Sequence, residues 1–245
     1  MAIELSVIIP AYNEASHIET TIRESIEMCV DRKIEFEIIV VDDGSRDRTL
    51  EVIRGAAQND SRVRALTNGT NRGKGYSVRH GVMESRGDRV LFTDVDLSTP
   101  LAEYDTLFGK LSEGYDIAIG SRALAQSKLT RKQPAYRVWL GRLANKAIQL
   151  VVPALRGIQD TQCGFKLFRG EVARAVFPLQ RIERWGFDFE ILHIARKHGF
   201  KVAEVPVAWS HSGDSRLRLS DYPKTLMELF RVRINDIKGC YTHLS

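Results

Sequence analysis

The chain lacks any apolar stretch that could cross a bilayer: no run in its 245 residues approaches the roughly 18 consecutive apolar residues of a spanning helix. Its first residues, MAIELSVIIPAYNE, show neither the basic leader nor the long apolar core of a signal peptide. Cysteine is scarce. Cys29, Cys163 and Cys240 are far apart, odd in number and without a C-x-x-C, a spacing that suggests neither a metal site nor a disulfide framework and fits a reducing compartment. A soluble or membrane-peripheral cytoplasmic protein is expected. Two phosphate-binding signatures are also missing. No G-x-G-x-x-G follows the first apolar run, which argues against a dinucleotide fold, and G-x-x-x-x-G-K-[ST] spacing is absent, which excludes a Walker A loop. No repeat and no low-complexity linker divides the chain, whose length suits one large α/β domain or two small ones. The six histidines show no ligand spacing.

Acidic residues are absent from one long segment. Between Ile117 and Gln159 stand eight basic residues (Arg122, Lys128, Arg131, Lys132, Arg137, Arg142, Lys146 and Arg156) and no acid, whereas the whole chain nets only +5. Such asymmetry points to a surface that faces phosphates, whether of a nucleotide, a lipid headgroup or nucleic acid.

What is present is a series of short apolar runs that alternate with helical patterns. Leu5–Ile9, stopped by Pro10, Phe36–Val41, Val63–Leu66, Arg89–Asp94 and Ile117–Gly120 read as buried strands. Between them lie helices with apolar residues at spacings of three and four, the first over Ala15, Ile18, Ile22, Ile26 and Cys29 with Asn13 as its cap. This alternation predicts βαβ units and a largely parallel sheet. Ligands bind such sheets beyond the carboxyl ends of the strands. There the chain places Tyr12-Asn13-Glu14, Asp42-Asp43-Gly44-Ser45 and Asp94-Val95-Asp96, with Arg72-Gly73-Lys74-Gly75 at a helix entry as an anion site. Asp94 and Asp96, one residue apart at the end of an extended run, are expected to point the same way. A carboxylate pair suits a hard divalent cation, Mg²⁺ or Mn²⁺, that also grips a diphosphate. Asp43 can accept from a base N–H or a ribose hydroxyl.

The second half is less regular. Residues 123–135 read as a mobile basic loop, and Tyr136–Val152 as an amphipathic helix bearing Trp139, Leu140, Leu143, Ala147 and Val151. Lys166–Phe168 and Val202–Val207 read as strands, and Trp185–Glu190 opens a helix that reaches about His198. Asp188 and Glu190 stand at its start, where the helix dipole favours acids. A last amphipathic helix, Tyr222–Ile237, carries Leu226, Leu229, Phe230 and Ile234 on one side, suited to packing on the domain or to lying on an anionic membrane.

Taken in order, Ile8–Glu14, Val41–Ser45, Asn71–Gly75 and Asp94–Asp96 resemble the motif series of the family 2 inverting glycosyltransferases of GT-A fold. The later Asp160–Phe168, Arg184–Glu190 and Gly213–Leu217 resemble the dolichyl-phosphate glucosyltransferase branch of that family. The resemblance implies an α/β GT-A fold with a Rossmann-like, largely parallel sheet flanked by helices, in one domain over residues 1–245. Residues 1–120 would hold the nucleotide sugar, and 121–245 the acceptor on basic amphipathic helices. It implies that Pro10, Tyr12 and Glu14 line the nucleotide pocket, that Asp43 holds base or ribose, and that Arg72, Gly73 and Lys74 close over the base. Asp94 and Asp96 would share a metal with the donor diphosphate. Ser98 falls where the mannosyl branch uses a metal-binding Gln, a departure that argues against mannose. Arg122, Arg131, Ser215 and Arg216 would face the donor or acceptor phosphate, Arg216 standing where many relatives carry Lys.

The implied activity is transfer of a hexose, glucose from UDP-glucose, to a polyprenyl or dolichyl phosphate at the cytoplasmic membrane face. A phosphate nucleophile is already anionic and needs no strong base. The alternatives are a hydroxyl acceptor on a glycan or small molecule, which requires Asp160 or Asp188 as base, and GDP-mannose as donor. The N-terminal G-x-G-T-R-type loop of nucleotidyltransferases is missing. A purely nucleic-acid-binding role leaves the carboxylate pair unexplained, so no nucleic-acid partner is expected.

Overall fold

The computed structural model describes residues 2–131, 135–210 and 221–244. The short apolar runs become strands because both of their faces are covered. In chain order the strands are β1 (Leu5–Ala11), β2 (Phe36–Asp42), β3 (Val63–Thr67), β4 (Arg89–Thr93), β5 (Ile117–Ser121), β6 (Lys128–Arg131), β7 (Phe165–Arg169), β8 (Val202–Pro206) and β9 (Ala208–Ser210). The helices are α1 (Ile18–Asp31), α2 (Thr49–Asn59), α3 (Lys74–Met83), α4 (Tyr104–Ser112), α5 (Ala135–Val151), α6 (Gly170–Val176), α7 (Phe187–Lys197) and α8 (Asp221–Ile237).

Seven strands form one sheet in the order β3-β2-β1-β4-β7-β5-β8, and β6 pairs with β9 apart from it. The main sheet is mostly parallel, as the βαβ pattern predicts, but β7 runs antiparallel to both β4 and β5. A strand from the second half of the chain thus lies between two strands of the first. Side-chain alternation splits the core into two layers. Val7 and Ile9 pack with Ile38, Val40, Leu91 and Leu167 on one face, while Ile8 packs with Ile39, Phe92, Ile119 and Phe168 on the other.

Several local expectations change. Pro10 does not stop β1: pairing with β4 ends at Ile8↔Phe92, and Pro10 lies opposite Val41 of β2 where β1 has one neighbour. A missing N–H is tolerated there. Asn13 does not cap α1. It takes a left-handed backbone (φ 52°), donates its N–H to Ser45 Oγ and accepts from Arg46 N–H, so it ties the β1 end to the β2 end. Residues 128–131, expected within a loop, form β6 through register with β9, a partner some 80 residues away that local pattern does not reveal. On α8, among the described side chains, Leu229 and Val232 are buried, whereas Leu226, Phe230 and Ile234, expected to pack together, are about half exposed. On α5, among the described side chains, Leu143 is likewise half exposed and Ile148 is buried.

Candidate active site

The carboxyl ends of β1, β2 and β4 point to one edge, and β7 contributes its first residue there because it runs the other way (Thr93↔Phe165). The motif residues gather on this edge. Beyond Thr93 the chain does not stay extended. Asp94 O accepts from Leu97 N–H, and Leu97 has φ 46°, so Asp94–Leu97 is a turn. The alternation argument for Asp94 and Asp96 therefore fails, yet the turn still keeps their charges within interaction range. Asp94 Oδ1 lies 2.6 Å from Lys74 Nζ. Asp96 accepts from Ser98 N–H (3.0 Å) and Ser98 Oγ–H (2.8 Å), so Ser98 stands as a support of Asp96. Gly164 supplies the floor: a Cβ there would stand 1.9 Å from Asp94 Oδ2, so only glycine lets the carboxylate rest on that backbone.

Lys74 enters from the first turn of α3, with its Nζ 5.0 Å from the Phe92 ring centroid and 5.6 Å from that of Trp185. Burial opposes its charge, but Asp94, Asp188 and Asp96 outweigh burial and hold the ammonium above its ordinary value. Burial raises the Asp94 carboxyl; Lys74 opposes the rise, and Asp96 and Asp188 add to it. Beneath them Lys166 of β7, fully buried, is ion-paired with Asp188 of α7 and donates to Cys163 O at 2.6 Å. Asp94, Asp96 and Asp188 thus stand within electrostatic range of Lys74, at a turn where Asp94 is about one-third exposed. This donor set fits a divalent cation of the Mg²⁺ or Mn²⁺ type held by one or two carboxylates and completed by phosphate oxygens. Among the described residues no cluster of three acidic, His or Cys side chains forms a self-sufficient metal cage.

Asp43 is buried at the end of β2, and its carboxylate anchors the Arg72–Gly75 loop. It accepts from Arg72 N–H (2.8 Å), Gly73 N–H (2.8 Å) and Asn68 Nδ2 (2.9 Å). A carboxylate offers about four acceptor positions, so one is left for a ligand donor. The expected base or ribose contact thus shares this group with a loop-building role. Gly73 has φ 109°, and a Cβ on it would meet Glu183 O at 2.6 Å. Arg72 stacks on Tyr76 (3.8 Å to the ring centroid) and pairs with Glu183 at 2.6 Å. Pro10, Tyr12 and Glu14 are half-buried at the β1 end, where Glu14 N–H donates to Thr49 Oγ1 at 2.7 Å.

On the β5 side Arg122 forms a two-pronged pair with Asp160, Nε–Oδ2 2.7 Å and Nη2–Oδ1 2.8 Å. Burial would raise the Asp160 carboxyl, but the Arg122 guanidinium overrides it and holds the group below the usual carboxylate range. Glu204 of β8 fixes the loop by accepting from Gln159 and Asp160 N–H. The Arg122 guanidinium also lies 5.7 Å from the Trp209 ring centroid. Arg131 ends β6, while Ser215 and Arg216 lie outside the described residues. The two acids considered as bases are therefore both charge-paired, Asp160 with Arg122 and Asp188 with Lys166. That correction concerns burial. Sequence shows an acid at a helix start; the structure shows Asp188 sealed against a buried lysine from another element.

Sequence reasoning missed Gly164, Lys166 and Glu190. A lysine inside an apolar strand, followed 22 residues later by a buried acid, leaves no local trace of the pairing.

Solved structures with the same architecture include mannosyl-3-phosphoglycerate synthase from Rubrobacter xylanophilus (TM-score 0.73, 20% identity, 99% of this chain and 77% of that chain). Another is glucosyl-3-phosphoglycerate synthase from Mycobacterium tuberculosis in complex with Mn²⁺, UDP-glucose and phosphoglyceric acid (TM-score 0.70, 20% identity, 97% of this chain and 79% of that one). The fold is that of the GT-A glycosyltransferases. The model of the Glycosyl transferase family 2 matches residues 6–177, and the chain belongs to that family as a hexosyltransferase. It is similar to dolichyl-phosphate beta-glucosyltransferases of Trichomonas vaginalis (36% identity, 96% of this chain, 72% of the relative) and Dictyostelium discoideum (36%, 98% and 76%). The human protein of that name is 35% identical over 87% of this chain and 69% of its own.

Proposed function

We propose that the protein transfers glucose from UDP-glucose, with inversion, to the phosphate of dolichol or a related polyprenol. One observation carries the choice of a phosphate nucleophile: the two acids considered as bases, Asp160 and Asp188, are buried and paired with a cation. A hydroxyl acceptor needs a free base, whereas a phosphate oxygen attacks as an anion. The names of the curated relatives support the same acceptor and sugar.

In this reading residues 1–120 bind the donor. Asp43 and the Arg72–Gly75 loop hold the nucleoside, with Pro10, Tyr12 and Glu14 as its wall. Asp94 and Asp96 would hold Mg²⁺ or Mn²⁺, which would supply positive charge to neutralise the departing diphosphate. Residues 121–245 receive the acceptor, with Arg122, Arg131, Ser215 and Arg216 toward its phosphate. The phosphate oxygen forms the bond to the anomeric carbon as the bond to UDP breaks; the electron pair leaves on the UDP β-phosphate oxygen, and no proton is transferred. Lys166 and Asp188 hold the floor beneath Asp94 and keep water out of it.

The acceptor reading places the enzyme at an anionic membrane surface, on the cytoplasmic side. Among the described residues no helix is long and apolar enough to span a bilayer. The outward stripe of α8 (Leu226, Met227, Phe230, Ile234 and Ile237), bordered by Lys224, Arg231, Arg233 and Lys238, has the composition of a helix that lies in the interface.

The test is incubation of purified protein with Mn²⁺ or Mg²⁺, each of UDP-glucose, UDP-galactose, UDP-GlcNAc and GDP-mannose, and dolichyl or undecaprenyl phosphate, with mass spectrometry of the lipid. Glucosyl-phosphoryl lipid formed from UDP-glucose and lost in Asp96→Ala is the expected result. Asp160→Asn should keep transfer within about tenfold, because base loss costs about 10²–10⁴. Metal-dependent UDP-glucose binding without any lipid product would overturn the phosphate acceptor.

A further inference from the structure

Glu190 lies in the first turn of α7, fully buried, and among the described residues it is paired with no cation. A lone buried carboxylate is costly unless hydrogen bonds replace its water. Here the donors come from two distant parts of the chain. Arg181 N–H reaches Oε1 and Oε2 (3.0 and 3.1 Å), Ile182 N–H reaches Oε2 (2.8 Å), and Tyr241 O–H reaches Oε1 (2.6 Å). Tyr241 is itself fully buried beyond the end of α8, and its oxygen accepts from Asn235 Nδ2 at 3.2 Å.

The backbone that Glu190 grips is the platform of the loop that carries Lys74. Glu183 O accepts from Tyr76 N–H at 3.0 Å, and Gln180 O accepts from Arg79 Nη1 at 3.0 Å. Cβ atoms on Gly73 and Gly75 would stand 2.6 Å from Glu183 O and 2.9 Å from Ile182 O, so two glycines allow the loop to seat directly on residues 182–183. Between those glycines Lys74 reaches Asp94. Four donor contacts on two oxygens require acceptors only. A glutamine would keep one acceptor oxygen for the Ile182 and Arg181 N–H groups and turn its NH₂ toward the remaining contacts, losing the Arg181 N–H contact there and the hydrogen bond donated by the Tyr241 hydroxyl.

We propose that Glu190 is a positioning residue for donor binding: it fixes residues 181–183, on which the Arg72–Gly75 loop rests, and Tyr241 completes its coordination. Both residues lie outside the 6–177 segment matched by the family model, so the C-terminal end of this chain takes part in holding the nucleotide site. The inference rests on the proposed UDP-glucose donor. Glu190 never touches substrate, and its effect runs through the loop alone.

The experiment measures UDP-glucose binding by calorimetry and by the emission of Trp185, which adjoins Lys74, in wild type, Glu190→Gln and the milder Tyr241→Phe. Steady-state kinetics with dolichyl phosphate accompany it. Loss of a hydrogen bond to a charged group is expected to weaken UDP-glucose about tenfold in each variant, with kcat and the acceptor KM within threefold of wild type. Emission on UDP-glucose addition should shift less than in wild type. Lowered thermal stability with unchanged UDP-glucose affinity in both variants would overturn the proposal and leave Glu190 a folding residue. Equal loss in donor KM, acceptor KM and kcat would also overturn it. A wild type that binds no UDP-glucose would instead overturn the donor reading, and this inference with it.

Discussion

Gly164→Ala should leave the fold standing and remove most of the activity. The added Cβ would lie 1.9 Å from Asp94 Oδ2 and 2.5 Å from its Cγ. Ordinary contact begins near 3.4 Å, so the carboxylate must retreat by about 1.5 Å. The clash falls on the end of a side chain that is about one-third exposed, and not on backbone, so rotation of Asp94 relieves it cheaply. That rotation breaks the 2.6 Å contact with Lys74 and, in the proposed reading, would carry one of the oxygens meant for the metal away from Asp96. A functional group tolerates displacement of roughly 0.5 Å, and a 1 Å error costs about 10²-fold. A fall of about 100-fold in kcat/KM is therefore expected, with a higher Mn²⁺ requirement and a melting temperature within a few degrees of wild type. Activity would be followed as lipid-linked glucose from UDP-glucose over a Mn²⁺ titration. Wild-type kcat/KM and Mn²⁺ dependence in a folded Gly164→Ala protein would refute the assignment of Asp94.

Lys166→Met should cost about 3–5 kcal/mol in denaturant unfolding because it strands Asp188 without its cation in the core, and Lys166→Met with Asp188→Leu should recover most of that loss. Burial pushes the Glu190 carboxyl up to about 7 against the pull of Tyr241 and the Ile182 and Arg181 N–H groups, with Glu228 of α8 adding to the rise and the His193 ring packed edge-on against Tyr241. The native state then binds the proton more tightly than the unfolded one. Stability from this group is complete below about pH 4.5 and is lost as pH rises through about 7, by about 3 kcal/mol in total. The difference between wild type and Glu190→Gln, measured by urea unfolding from pH 4.5 to 8, should show that slope; a flat difference would contradict it. Phe230→Asp with Ile234→Asp should abolish flotation with vesicles containing phosphatidylglycerol while leaving UDP-glucose binding within twofold, since both side chains are about half exposed. Retained flotation would remove α8 from the membrane surface.

The strands were legible because burial on both faces writes itself as short apolar runs, and the motif-bearing ends of β1, β2 and β4 follow from where those runs stop. The details at the ends were not legible. Asp94 and Asp96 share a locality through a turn with a left-handed Leu97, which a two-residue alternation cannot show. Asn13 reads as a helix cap because caps and left-handed bridges favour the same residue type, and only the Ser45 and Arg46 contacts decide between them. The direction of β7 is invisible in its composition, yet it decides that Gly164 and Lys166 reach the β4 edge. Asp188 and Glu190 look like two acids favoured by one helix start. Their buried partners, Lys166 and Tyr241, come from a strand and from the chain beyond α8.

The charge layout explains how one edge can receive two phosphates. Donor diphosphate and acceptor phosphate repel each other, so the site must separate them or neutralise them. On the donor side Asp94, Asp96 and Asp188 stand near Lys74, and in the proposed reading a divalent cation arriving with the diphosphate would offset its charge. On the acceptor side Arg122 is matched by Asp160, so the pair contributes direction but little net charge. In the sequence the other basic residues between Ile117 and Gln159 form a segment without one acid until Asp160, and in the proposed reading that segment would supply positive charge toward the acceptor phosphate. In the proposed reading the acceptor would have to reach the anomeric carbon from the side opposite to the leaving diphosphate, the geometry that in-line displacement needs.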